Sequence, residues 1–333
     1  MTGHPDLPAP RSTALTAPAP GTIFAGHRIE ARIGRGGMGV VYRARHCRLG
    51  RTVALKVIAP ELLEDASAHE RFLEEAVVAA ALEHPNVVPV HDAGESGGIA
   101  YLAMKYVHGT DLCGAGPLDP VRAAEIVAEV GDALDAMHRA GYVHRDVKPR
   151  NVLIARGGHV YLSDFGLARR VTSRCGATRA GHWVGTADYV APEQIRGRPA
   201  DARADVYGLG CLLFFALTGR PPYARENLEA RLWAHLHEPP PAPSRLCPGI
   251  PSAMDGLVAR ALAKEPADRF ASAGELGRCA VRAADGACRS GRIAQPRREI
   301  AGAALTEAST VSRQRTVQRG PRAGLTRGAV AVT

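Results

Sequence analysis

The chain has 333 residues, 46% of them hydrophobic and 23% charged, with a net charge of +9. That composition excludes a disordered or collagen-like chain and leaves ample length to bury the core of one large domain or two lobes. The longest apolar run, Val206 to Gly219, has 14 residues, too few for a membrane span. The first 24 residues lack the apolar stretch of a signal peptide, so neither a membrane span nor secretion is expected.

The positive charge is concentrated at one end. Residues 285–333 carry nine Arg against three acids (Asp285, Glu299, Glu307), a net of +6, whereas residues 1–284 carry 33 basic and 30 acidic side chains, a net of +3. The basic tail reads as a solvated, disordered end. It lacks interleaved aromatics, so no specific nucleic-acid partner is expected. Seven cysteines, an odd number with no CxxC pair, indicate free thiols and no zinc site. Only four of the 42 basic residues are lysine: Lys56, Lys105, Lys148 and Lys264. A chain so biased to arginine should keep lysine where a compact ammonium differs in function from a flat guanidinium.

In chain order, residues 1–24 are Pro/Ala-rich and aperiodic and read as a flexible leader. Three β-branched runs separated by glycines follow, HRIEARIG, GVVYRARH and RTVALKVIA, and predict three antiparallel strands. An Ala/Glu-rich helix is predicted over 67–83, closed by His84-Pro85-Asn86. NVVPVHDAG and IAYLAMKYV predict two more strands. After Gly109 the chain turns helical, with amphipathic stretches around 120–140, 206–218, 225–237, 253–264 and 273–284, interrupted by strand-like pieces at 151–164. The expected architecture is a small β-rich lobe followed by a larger helical lobe, joined by Lys105 to Thr110.

Four motifs carry chemistry. Gly34-x-Gly36-x-x-Gly39-x-Val41 lies between two strands, where glycines let the backbone approach phosphates. Because it runs into a strand and not a helix, it reads as a glycine-rich flap over a nucleotide instead of a dinucleotide fingerprint. In VALKVI, alternation puts Lys56 on one face with Ala54 and Ile58, a charge among apolar neighbours that requires a partner. Phe72, Glu75, Ala79 and Leu82 form one helical stripe, and Glu75, in preference to Glu74, is the expected partner. Finally, His144-Arg145-Asp146-Val147-Lys148-Pro149-Arg150-Asn151 precedes one strand and Asp164-Phe165-Gly166 follows the next. Hard oxygen ligands of this kind suit Mg2+ held jointly with nucleotide phosphates.

With all four motifs in this order, residues 25–284 resemble a bacterial protein serine/threonine kinase of the eukaryotic-like (Hanks-type) family. The resemblance implies an α+β bilobal kinase fold: a small antiparallel β-sheet N-lobe with one helix (25–107) and a larger, mainly helical C-lobe (108–284). It implies ATP as phosphoryl donor with Mg2+, for which Mn2+ can substitute. The ATP site would be lined by Ile33, Gly34, Arg35, Gly36, Gly37, Met38, Gly39, Val40 and Val41, by Ala54, the gatekeeper Met104, hinge backbone from Lys105 to Val107, Asp111 at the ribose and Leu153 beneath adenine. Lys56 would hold the α- and β-phosphates, oriented by Glu75. Asn151 and Asp164 would ligate the metal. Asp146 would take the substrate hydroxyl proton and Lys148 would neutralise the transferring phosphoryl group.

The resemblance extends to specificity and control. Lys148 marks the serine/threonine type. The segment GTADYVAPE would seat a protein substrate, with Thr186 hydrogen-bonding Asp146 and Lys148. Glu193 would pair with Arg269, and Asp205 would tie the catalytic loop to the apolar helix. Arg145 marks control by loop phosphorylation, expected at Thr178 first and at Thr172 or Ser173 next, in a homodimer acting in trans. The hinge departs from the family at Lys105, where an acid is common, with little effect expected. Related receptor kinases carry a membrane span and an outer domain after the kinase, and here a short basic tail follows, so a cytoplasmic protein is expected. The rival readings are a pseudokinase scaffold, which would require loss of a catalytic residue, and a small-molecule phosphotransferase, which would lack GTADYVAPE.

Overall fold

Six strands pair antiparallel throughout, in the order β1-β2-β3-β4-β6-β5. They are β1 (Ile23–Phe24), β2 (His27–Gly36), β3 (Gly39–His46), β4 (Thr52–Ile58), β5 (Val90–Ser96) and β6 (Ile99–Lys105). The computed structural model describes residues 18–36, 39–59, 76, 80–164 and 187–289. All of these belong to one compact unit, Met1–Ile293, and the second unit, Ala294–Thr333, lies outside them.

The period-2 alternation of the first three runs settles the register. One face of β2–β4 buries Ile29, Tyr42, Ala44, Val53 and Leu55 together with Ile99 and Ala103. The opposite face brings Val41 across from Lys56 and Ala54 across from Met104. Gly36 and Gly39 end the β2–β3 hairpin as partners. Gly39 takes φ +137°, and a Cβ there would collide with the Val57 carbonyl oxygen, so only glycine fits.

A second sheet, β7 (Gly109–Asp111), β8 (Val152–Ala155) and β9 (Val160–Leu162), is also antiparallel. The described helices are α1 (Leu112–Ala115), α2 (Pro120–Arg139), α3 (Pro192–Ile195), α4 (Ala202–Thr218), α5 (Leu228–His237), α6 (Pro243–Leu246), α7 (Ala253–Ala261) and α8 (Ala273–Arg289), and the second sheet packs on α1 and α2. Asp119 caps α2 by accepting from the Val121 and Arg122 amides, with Pro120 in the first turn. The apolar run read at 206–219 forms α4, buried on every side, begun by the Asp201 cap and ended by Gly219 at φ +74°. A helix apolar all round belongs in the core.

A third apolar cluster lies between the two sheets: Ala76, Val88, Leu102 and Met104, flanked by Val107, Leu153 and Tyr161. Segment 86–88 anchors to β9, the Leu162 amide donating to Asn86 O and the Val88 amide to Leu162 O.

The expected strands form. β5 starts at Val90, after Pro89, because proline cannot donate to a ladder. β1 and β7, two and three residues long, are too short to carry a periodic signal. In the predicted helix 67–83, the described Ala76, Ala80 and Ala81 are helical. α8 runs on to Arg289, past the 284 expected. Among the described residues, no helix is long and apolar enough to cross a membrane.

Candidate active site

Lys56 is 8% exposed and, as its apolar setting requires, it has a partner. Nζ donates to Asp164 Oδ1 at 2.7 Å. Asp164 sits just past β9 in a left-handed conformation, φ +58°, which costs a non-glycine residue about 1–2 kcal/mol. Burial, the largest single influence, opposes its ionisation, but the charge and hydrogen bond of Lys56 together with Lys148 and His144 outweigh it, so the carboxyl is held below the ordinary carboxylate range. The expected partner, Glu75, lies outside the described residues, as do Gly37, Met38, Thr172, Ser173, Thr178 and Thr186.

The loop before β8 is held from behind. Asp205, buried on α4, accepts from the amides of His144 (2.8 Å) and Arg145 (2.7 Å) and lies 2.7 Å from His138 Nε2. Arg145 adopts φ +62°, and its carbonyl accepts from Gln194 Nε2 at 3.1 Å, so a strained residue is clamped at both ends. His144 Nδ1 accepts the Asp146 amide at 3.3 Å, which makes Nε2 the donor to Ser163 O at 3.1 Å. The His144 ring thus joins the Asp146 loop to the residue before Asp164.

On the open side, Lys148 Nζ donates to Asp146 Oδ2 at 2.6 Å. Buried Asn151 donates from Nδ2 to Asp146 O (2.8 Å) and Oδ2 (3.2 Å). These bonds leave the Asn151 carboxamide oxygen and Asp164 Oδ2 as hard donors on adjoining loops, a set that fits Mg2+.

The described residues expected to line a nucleotide site lie mostly on the two sheets. Val41, Ala54 and Met104 share one sheet face with Lys56 or its neighbours, and Leu153 lies opposite Asp111 in the second sheet. Gly34 pairs with Val41 and Arg35 with Val40, while Ile33 is exposed. Asp111 spends one carboxylate oxygen on the Gly114 amide as the α1 cap.

Residues 27–277 match the protein kinase domain. The chain belongs to the protein kinase family. The kinase chain is 45% identical over 282 residues to serine/threonine-protein kinase PknJ of Mycobacterium tuberculosis, covering 82% of this chain and 48% of PknJ. It is 45% identical over 260 residues to PknH of the same organism, covering 77% of this chain and 41% of PknH. It therefore spans about half the length, or less, of these curated relatives. The crystal structure of the M. tuberculosis PknI kinase domain is similar at a TM-score of 0.65 and 34% identity, covering 80% of this chain and all of that one (100%).

The segment that carries Asp188 and Glu193 is anchored too. Arg269 forms a bidentate pair with Glu193 at 2.7 and 2.8 Å, and Arg231 reaches Asp188 at 3.0 Å. Sequence reasoning missed the engagement of the other two lysines. Lys105 Nζ donates to Tyr161 Oη at 2.6 Å and Lys264 Nζ to Tyr223 Oη at 3.0 Å. The scarcity of lysine was the signal that could have found them.

Proposed function

We propose that the chain is an ATP-dependent protein serine/threonine kinase, transferring the γ-phosphoryl group of ATP to Ser or Thr side chains of proteins. The observation that carries this reading is the pairing of two carboxylates with two ammonium groups across one junction: Lys56 with Asp164 and Lys148 with Asp146, with Asn151 bonded to Asp146. Such an arrangement can bind a polyphosphate and a metal beside a proton acceptor. A scaffold would not need it.

In this reading Asp146 accepts the proton of the substrate hydroxyl as its oxygen bonds to the γ-phosphorus and the bond to the ADP oxygen breaks. Lys148, already on Asp146, neutralises the moving phosphoryl group, and Lys56 holds the α- and β-phosphates with Glu75 behind it. Asn151 and Asp164 hold Mg2+, which supplies charge neutralisation to the phosphates when bound. Catalysis here is positioning and electrostatics. The kinase domain occupies 25–284 (N-lobe 25–107, C-lobe 108–284), between a leader (1–24) and a basic tail (285–333). The protein works in the cytoplasm on protein substrates. It modifies its own loop at Thr178, then Thr172 or Ser173, in trans within a homodimer, with Arg145 receiving the phosphate.

The test is incubation of the protein and of Asp146→Asn with Mg-ATP, with phosphate mapped by mass spectrometry. Phosphothreonine within 172–178 of the parent and none in the variant is expected. Equal labelling of both would refute the role of Asp146. No labelling of either, with ATP still bound, would overturn the catalytic reading in favour of a scaffold.

A further inference from the structure

Lys105 is one of only four lysines in the chain, and its side chain has a built partner. It closes β6, in the six-stranded sheet, and its Nζ donates to Tyr161 Oη at 2.6 Å while lying 4.5 Å from the centre of the Tyr161 ring. Tyr161 belongs to β9, in the three-stranded sheet. The contact therefore joins the two sheets across the hinge. The Lys105 backbone is fixed separately, its amide donating to Pro89 O at 2.9 Å.

Tyr161 is itself held in place. Its ring meets His159 edge-on at 4.5 Å, and His159 Nε2 lies 2.8 Å from Pro85 O. It packs against the cluster that contains Met104 and Leu102. It pairs in register with Leu153, the residue read as the floor beneath adenine, and stands three positions before Asp164 in the same chain segment.

We propose that Lys105 is a positioning residue whose ammonium, seated on Tyr161, is a strut that fixes the spacing between the hinge and the strand leading to Asp164. This rests on the reading of the cleft as an ATP site. A nucleotide held between Val41 and Ala54 on one side and Leu153 on the other needs the two sheets at one spacing. Its apparent Kd is the intrinsic Kd divided by the fraction of molecules at that spacing. The hinge is a single run of backbone, so side-chain contacts across it set that fraction. A charged donor on a hydroxyl is among the stronger of such contacts. A guanidinium, longer and planar, cannot occupy the same seat.

The experiment is titration of Mg-ATP by calorimetry into the full chain, Lys105→Met, Tyr161→Phe and the double variant, with steady-state kinetics on the same samples. Lys105→Met should raise Kd and KM for ATP about tenfold. Tyr161→Phe, which keeps the ring under the ammonium, should raise them about threefold. The double variant should be no worse than Lys105→Met, with kcat at saturating ATP and KM for peptide within about twofold of the parent. Kd values within twofold of the parent in both single variants, or a lowered melting temperature with unchanged Kd, would overturn the strut. Should Lys105→Met fail to fold, Tyr161→Phe decides alone, since it changes no ring volume. A parent that binds no Mg-ATP would instead refute the proposed function.

Discussion

Arg269→Met removes a buried cation whose whole donor set is in use. Arg269 is 2% exposed and its partner Glu193 3%. Its five N–H groups go to the two Glu193 oxygens (2.7 and 2.8 Å) and to the carbonyls of Ala263 (2.8 Å), Arg203 (2.9 Å) and Lys264 (3.1 Å). The guanidinium also lies 4.9 Å from the centre of the Tyr207 ring. Methionine fills much of the volume but leaves the Glu193 carboxylate buried without a counter-ion and three carbonyls without this donor. Breaking one side of a buried pair costs about 3–5 kcal/mol, which for a domain of this size lowers the melting temperature by about 10 °C. Urea unfolding of the parent, Arg269→Met, Glu193→Gln and the double variant should give a coupling energy near 3 kcal/mol, because the double variant no longer strands a charge. Glu193 neighbours Gln194, which bonds the Arg145 carbonyl, so phosphoryl transfer should fall in Arg269→Met as well. A loss below about 1 kcal/mol, with no coupling, would refute the view that this pair holds the segment around Glu193 in place.

Two further outcomes follow from other contacts. A Cβ on Gly208 of α4 would lie 2.9 Å from Val147 Cβ and 3.1 Å from Val147 O, next to Asp146. Gly208→Ala should destabilise by about 1–3 kcal/mol and lower kcat more than KM for ATP, as read by steady-state kinetics. His235 is buried against Tyr207 Oη at 2.8 Å, and burial, with Lys264 adding to it, pushes its pKa down to about 3. A histidine depressed in the folded state binds its proton more readily when unfolded, so stability is full above the unfolded value near 6.5 and is lost as pH falls below it. Chemical denaturation should show about 2 kcal/mol less stability at pH 5 than at pH 7 from this group. The slope should flatten in His235→Phe, and equal slopes would dismiss the assignment.

Much of the fold was legible because its strands and helices carry their own period. GVVYRARH buries Tyr42 and Ala44 and exposes Arg43 and Arg45, and the amphipathic stretch at 120–140 forms α2. The loops that carry Asp146, Asn151 and Asp164 were legible because few other chemistries need those residue types in that order. Contacts between distant segments were not. Alternation shows that Lys56 needs a carboxylate but not which one, and the described partner, Asp164, is 108 residues away. Lys105 was read as inconsequential because only its backbone was considered, and nothing local to KYVHGT points to a tyrosine 56 residues further on. The strands β1 and β7 exist through pairing with longer neighbours, so their residues carry no signal of their own.

The scarcity of lysine has a chemical consequence. The chain offers amine-directed reagents only four side-chain targets, and each amine already donates to a carboxylate or a phenol at 2.6–3.0 Å. Acylating dyes, amine cross-linkers and lysine acetyltransferases meet a surface made cationic almost wholly by arginine, which they do not modify. Where such a reagent does react on a side chain of the folded protein, it removes a contact of the cleft, of the hinge or of the packing beneath α5. Immobilisation or labelling through lysine would thus select against intact molecules, and the extent of acylation would report how often these four contacts open.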